Sequence, residues 1–316
     1  MATRSILRSA RLQCTRHISS SSVRCHDIVK LTSASADEMS HFNALASSWW
    51  DVNGPQRILH KMNFLRMDYI NEMVKGHIKL NDNVVDDEDK VYIPPYSLDL
   101  LPKSIRTRIQ QEQSARRDEI LSQKKLKALD VGCGGGILAE SLARLKYISS
   151  VKGIDLSTDV LEAAKLHQKL DPELSEKLQY ELTAIEDLPK DEKYDLVTCF
   201  EMLEHVQYPA QVLSEVFDRV AVGGWVVLST INRDPISWFT TIFMGEHLLR
   251  IVPVGTHTLE KYIDQQEIRN WVEGSPYQDQ FAVVNARGCA YIPAYGWKFT
   301  SSADVGNYFM AIQRVK

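Results

Sequence analysis

Residues Leu129–Gly136, reading Leu-Asp-Val-Gly-Cys-Gly-Gly-Gly, constrain this chain more than any other stretch. Ahead of the glycines, Ala128–Val131 is a short apolar run of strand character. Behind them, Ile137–Leu145 spaces its apolar residues as an amphipathic helix does. Glycines at a strand-to-helix turn let the backbone approach a ligand with no Cβ in the way, and the helix start presents N–H groups without intrahelical partners. A second strand, Val151–Ile154, ends in Asp155, whose carboxylate can accept two hydroxyl hydrogen bonds from a ribose. An acid about twenty residues beyond the first glycine is what a nucleotide-type ligand requires of this arrangement. A purely structural turn is the weaker reading, because three consecutive glycines lose stability that a plain turn would keep.

The rhythm around this turn predicts the fold class. Strand 126–131, helix 137–145, strand 151–154, helix 158–169 and strand 178–182 follow one another. Strand Asp195–Phe200, helix Pro209–Val220 and strand Trp225–Thr230 come next, with Gly223-Gly224 as the turn leading into the last. Such alternation implies an α/β, Rossmann-like domain, a mostly parallel sheet with helices on both faces. After Asn232 the rhythm breaks, then resumes with a helix at Asp264–Glu273 and two strands, about Phe281–Arg287 and Tyr308–Arg314. This domain occupies 125–316. Upstream, 37–75 reads as a helical lead-in, with Trp49-Trp50-Asp51 and a second helix over about Leu59–Val74. Residues 76–124, with an acidic run from Asp82 to Asp89, the Pro94-Pro95 break and one helix around Pro102–Leu121, read as a surface insertion without catalytic groups.

Charge is distributed unevenly. Residues 1–26 carry five arginines and no acid, which leaves −9 for the remainder of a chain whose formal net charge is −4. An acidic body argues against nucleic acid as a partner. An Arg-rich, Ser-rich, acid-free start with Ile6, Leu7 and Leu12 spaced between arginines has the profile of a mitochondrial transit peptide, assigned to 1–32; a basic tail without structure is the bland alternative. Five scattered cysteines without a C-x-x-C suit a reducing compartment and argue against a disulfide framework or a structural zinc site. Cys133 reads as a space-filling residue rather than a nucleophile. No stretch of 18 apolar residues is present.

The glycine spacing chooses between cofactors. A dinucleotide fingerprint needs G-x-G-x-x-G, whereas Gly132–Ile137 gives G-x-G-G-G-I. Asp130 puts an acid just before the turn, where dehydrogenases have an apolar residue and S-adenosylmethionine enzymes keep one for the methionine end. The pattern favours S-adenosylmethionine over NAD. The strand ending Thr198-Cys199-Phe200 then delivers Glu201-Met202-Leu203-Glu204-His205 to the ligand edge. On a helical turn, Glu201, Glu204 and His205 would share one face. Two carboxylates and an imidazole suit a divalent cation such as Mg2+, which could lower a phenol pKa on a vicinal diol. His205 acting as a metal-free general base is an alternative, and a helix cap facing solvent is the structural one. Residues 233–263 carry Trp238, Phe239, Ile242, Phe243 and Leu249 between Arg233, Arg250 and Lys261. They read either as a lid or interfacial helix, or as an ordinary buried helix.

Taken in order, Trp49-Trp50-Asp51, Leu129–Leu138, Glu201–His205, Ser229-Thr230-Ile231-Asn232-Arg233 and Val254-Gly255-Thr256-His257 resemble the ubiquinone-biosynthesis O-methyltransferases, from about His41 to Arg314. The resemblance implies a class I S-adenosylmethionine-dependent methyltransferase acting on ring hydroxyls of 3,4-dihydroxy-5-polyprenylbenzoate and of a demethylubiquinol. It implies Arg66 at the cofactor's carboxylate end, Gly132 under its methionine moiety, Gly134 among the cofactor-binding residues, Asp155 on the ribose and Phe200 in the cofactor pocket. Phe200 departs from the methionine common in bacterial relatives. Glu201, Glu204 and His205 correspond to the family's metal triad. The resemblance further implies a multiprotein assembly on the matrix side of the mitochondrial inner membrane. A nicotinamide dehydrogenase, a non-catalytic scaffold subunit and a carbon methyltransferase of the same pathway are the competing readings.

Overall fold

The computed structural model describes residue 40 and residues 43–80, 97–238, 241, 258–292 and 295–316. The leader assigned to 1–32, the acidic run from Asp82 to Asp89, most of 233–263 and the Val254–His257 motif lie outside the described residues.

Two long helices precede the sheet. α1 (Arg57–Gly76) buries Met62, Arg66, Tyr69, Ile70, Met73 and Val74 along one side, which is the stripe a helix needs to dock on a core. α2 (Lys103–Ser122) buries only Leu121 and is tied back to α1 by Lys75–Asp118, at 2.6 Å. An exposed pair of that kind adds little.

Among the described residues the sheet has eight strands in the order β3-β2-β1-β4-β5-β8-β6-β7. Strands β1 (Leu126–Val131), β2 (Ile148–Asp155), β3 (Leu178–Leu182), β4 (Tyr194–Phe200) and β5 (Val220–Ile231) run parallel. Between them lie α3 (Ile137–Ala143), α4 (Thr158–Gln168) and α5 (Pro209–Asp218), the last opening with Pro209 in its first turn. α6 (Gln265–Gly274), started by an Asp264/Glu267 capping box, then leads to β6 (Phe281–Ile292), β7 (Gly296–Phe299) and β8 (Asn307–Arg314). β8 inserts antiparallel between β5 and β6.

Central strands are covered on both faces, and β1 from Ala128 and β4 from Leu196 are accordingly buried at every residue to their ends. One face carries Leu129, Val197 and Leu228 against Leu213 and Phe217 of α5 and Ile268 and Trp271 of α6. The other packs Ala128, Leu196 and Val227 against Tyr69 and Ile70 of α1 and Leu138 and Leu142 of α3. The strand order reverses between β1 and β4, and the crevice beyond their carboxyl ends is where an open α/β sheet takes a ligand.

Three expectations are corrected. β5 begins at Val220 rather than Trp225. Gly223-Gly224 is carried within it, at the price of φ +81 at Gly223 and a pairing irregularity opposite Tyr194–Leu196. The tail holds a third strand, β7, paired to β6 around a turn with Gly296 at φ +78. Residues 201–205 are not one helical turn: Glu201 has φ +50, and only Leu203–His205 form a short 3₁₀ turn.

Candidate active site

The glycine turn is built as a cradle. Gly132, Gly134 and Gly136 have φ of +69, +53 and +88, a region closed to most side chains. The N–H groups of Gly132 and Cys133 both donate to the Ile154 carbonyl, fastening the turn to the end of β2. Asp155 completes it. Its Oδ2 accepts from the Gly134 N–H and its Oδ1 from the Ser157 N–H, each at 2.9 Å. Asp155 lines the cavity, and a carboxylate has more acceptor sites than these N–H groups use. Burial raises the Asp155 pKa above the usual carboxylate value, against the pull of those N–H groups. The Cys133 thiol is pushed well up, first by burial and then by Asp155, which fits the space-filling role expected of it.

At the end of β4 the chain turns sharply. A non-glycine residue with left-handed φ costs about 1–2 kcal/mol, and at Glu201 neighbouring hydrogen bonds hold it there. Ser229 Oγ donates to Glu201 Oε1 at 2.6 Å, and the Glu201 N–H donates to the Ser229 carbonyl at 3.1 Å. Glu204 lies deeper, 3% exposed, with Thr230 Oγ1 donating to its Oε2 at 2.8 Å. Consecutive residues of β5 thus hold the two carboxylates. Burial, followed by the charge of Glu201, pushes Glu204 up to about 7.

Arg66 comes in from α1. Its guanidinium lies 5.1 Å from the Phe200 ring centroid, and its Nε is buried with no hydrogen-bond partner. Burial pulls its pKa down, while the charges of Glu201, Asp130 and Glu204 pull it back up. Asp130 is buried too, receives Thr198 Oγ1 at 2.7 Å, and is raised to about 6, chiefly by burial.

Arg66, Asp130, Gly132, Gly134, Asp155, Phe200, Glu201 and His205 all line one cavity. Glu204 lies behind its wall. Among the described residues no three His, Cys, Asp or Glu groups gather as a metal-ligating cluster. Glu201, Glu204 and His205 are neighbours, but the expected convergence on one helical face gives way to the turn at Glu201. The sequence reading left out Trp49, Leu59, Met202 and Thr183–Ile185, which share the cavity. Met202 packs against Gly132, where a Cβ would stand 2.7 Å from its Cγ. Trp49 and Met202 carried a signal, each as part of a noted motif.

A family model described as a methyltransferase domain matches residues 105–279. The mitochondrial ubiquinone biosynthesis O-methyltransferase of Candida albicans is 66% identical over 287 residues, covering 90% of this chain and 87% of the relative. That of Saccharomyces cerevisiae is 45% identical over 305 residues, covering 96% and 94%. The ubiquinone biosynthesis O-methyltransferase of Hydrogenovibrio crunogenus is 35% identical over 291 residues, covering 91% and 97%.

Proposed function

The chain belongs to the ubiquinone biosynthesis O-methyltransferases, and from that membership we propose that it moves the methyl group of S-adenosylmethionine to a ring hydroxyl of polyprenylated catechols. Its substrates in this reading are 3,4-dihydroxy-5-polyprenylbenzoate and a demethylubiquinol. One observation carries the proposal: the glycine cradle, Asp155 and Arg66 open into the same cavity as Glu201 and His205.

The residues fit the cofactor. Arg66 has a buried Nε without a partner, which suits the carboxylate of an amino-acid moiety. Asp155 keeps acceptor capacity for a ribose diol, and Asp130 beside Arg66 suits an ammonium group. Bound there, S-adenosylmethionine supplies an electrophilic methyl group on a sulfonium. The protein's part is to hold the phenol in line with that methyl, exclude water and take the phenol proton.

For the proton there are two arrangements. In the first, Glu201, Glu204 and His205 hold a divalent cation, Mg2+ above all, whose Lewis acidity would lower the phenol pKa. What supports it is the donor set: two adjacent carboxylates, one raised by burial and then by the other's charge, each oriented by a hydroxyl as metal-binding carboxylates commonly are. In the second, His205 takes the proton without an ion, and the failure of the three groups to gather favours it. Calorimetry with S-adenosylmethionine and with NADH separates methyl transfer from hydride transfer. Labelled methyl transfer to a short-chain dihydroxybenzoate, with product analysis locating the methyl on oxygen or carbon, tests the reaction and excludes or supports the carbon methyltransferase.

The same reading puts the protein in the mitochondrion, as the fungal relatives' names have it, with 1–32 as the leader. It further assigns the matrix side of the inner membrane and a multiprotein assembly of the pathway. Among the described residues no helix is long and apolar enough to cross a membrane. The lipid-facing reading of 233–263 is supported by its first residues, with Ile236 55% and Trp238 44% exposed.

A further inference from the structure

The Trp49-Trp50 pair has no part in the chemistry derived above, yet it meets the glycine turn twice. Trp49 is buried, packed with Ile137 and Val160, and lines the cavity beside Asp155. A Cβ on Gly134 would stand 2.6 Å from Trp49 Cζ2, and one on Gly135 only 2.2 Å from Trp49 Cδ1. The two glycines differ in kind. Gly134 has a left-handed backbone that needs glycine wherever Trp49 lies. Gly135 has no such backbone demand, and the space its Cβ would fill is taken by the indole.

Trp50 grips the same turn from its other side. Its Nε1 donates to the Gly135 carbonyl at 2.9 Å, and its ring stacks on His167 of α4 with centroids 3.4 Å apart and planes within 2°. His167 Nδ1 is in turn 2.9 Å from Glu140 Oε1 on α3. The segment is pinned along its length: His60 Nε2 meets the Trp49 carbonyl at 2.9 Å, and Ser157 Oγ donates to Asn43 Oδ1 at 2.5 Å.

We propose that Trp49 and Trp50 are positioning residues for the methyl donor. Trp49 walls the cavity and seats Gly134-Gly135, while Trp50 fixes the Gly135 carbonyl. The Gly134 N–H therefore stays on Asp155, and the acceptor face of that carboxylate stays turned to the ligand. Gly135 is glycine for the sake of a tryptophan, not of the cofactor. The matched methyltransferase domain at 105–279 therefore lacks part of its own cofactor cradle, which residues upstream of it supply. This inference rests on the cavity being the S-adenosylmethionine site.

The test is a double-substitution cycle on the full chain, reading S-adenosylmethionine affinity by calorimetry and the KM and kcat for methyl transfer. Trp49→Ala and Gly135→Ala should each weaken affinity about tenfold, raising KM with kcat little changed. Gly135→Ala added to Trp49→Ala should change nothing further, because the space its methyl needs is then vacant. Trp50→Phe, which keeps a stacking ring but lacks the donor, should lose several-fold, and Trp49→Phe should recover part of the loss. Should Trp49→Ala fail to fold, Gly135→Ala and the two phenylalanine variants, checked by circular dichroism, carry the same comparison. Additive effects of Trp49→Ala and Gly135→Ala, or wild-type affinity in either, would overturn the proposal. Failure of the wild type to bind S-adenosylmethionine would instead sink the reading of the cavity itself.

Discussion

Ser229 and Glu201 hold each other across the β4–β5 pair, hydroxyl to carboxylate at 2.6 Å and N–H to carbonyl at 3.1 Å. A hydrogen bond to a charged acceptor contributes about 1.5–3 kcal/mol, comparable to the strain of a left-handed glutamate. Ser229→Ala should therefore free the Glu201 side chain while the backbone ladder survives. Its kcat should fall about tenfold or more with S-adenosylmethionine affinity intact. An unchanged kcat would show that the orientation of Glu201 is immaterial to the reaction.

Asp155→Ala removes the acceptors of one N–H of the glycine turn, Gly134, and of the Ser157 N–H ahead of α4, as well as the ribose contact. Affinity for S-adenosylmethionine should drop at least about tenfold. Asp155→Asn, whose single carbonyl oxygen can accept from only one of the two N–H groups, should keep part of the turn and lose less than alanine. Calorimetry showing equal losses in the two variants would assign the whole effect to the ribose contact.

Chelation distinguishes the two proton routes. With a cation at Glu201, Glu204 and His205, exhaustive chelation should abolish turnover and Mg2+ should restore it. Glu201→Gln and Glu204→Gln should mimic chelation without weakening cofactor binding. Full activity after chelation, with His205→Ala inactive, would leave the imidazole as the base.

Asp130 makes stability depend on pH. Its pKa rises from 3.8 to about 6 on folding, so it favours the folded state fully below pH 3.8, and that contribution is lost as pH climbs through 6. Between about pH 4 and 7 the wild type should lose roughly 3 kcal/mol relative to Asp130→Asn. Urea titrations of both proteins at a series of pH values would show it. Parallel curves would mean that Arg66 compensates the carboxylate at every pH.

Trp238 offers a measure of lipid contact. If 233–263 meets a bilayer, Trp238→Ser should reduce flotation with cardiolipin-containing liposomes and lower activity on long-chain substrate more than on a water-soluble analogue. Equal flotation would return the segment to the protein interior or to a protein partner.

The parallel half of the fold was legible because apolar periodicity switches cleanly from strand to helix between Leu126 and Ile231. Asp155 and the glycines could be assigned to a cavity because their chemistry lies in one turn and the strand beside it. What escaped depended on distant contacts. The i, i+3, i+4 spacing of Glu201, Glu204 and His205 presumes a helix, but Ser229 and Asn307 hold Glu201 in a different backbone region. Gly223-Gly224 looks like a turn until β4 pairs alongside it. β7 has four residues and owes its existence to β6. The use of Gly135 involves a partner 85 residues away, which no local pattern shows.

β8 joins β5 to β6, and of the described strands of this sheet it is the last in chain order. Before residues 307–314 emerge, the parallel strands end in an open edge at β5, and β6 and β7 form a hairpin with no sheet to join. A nascent chain of this protein thus carries an unsealed edge until residues 307–314 have been made, which is the state that chaperones hold and that aggregates form from. Loss of residues 307–314 would remove a small part of the chain, yet leave the sheet in two pieces.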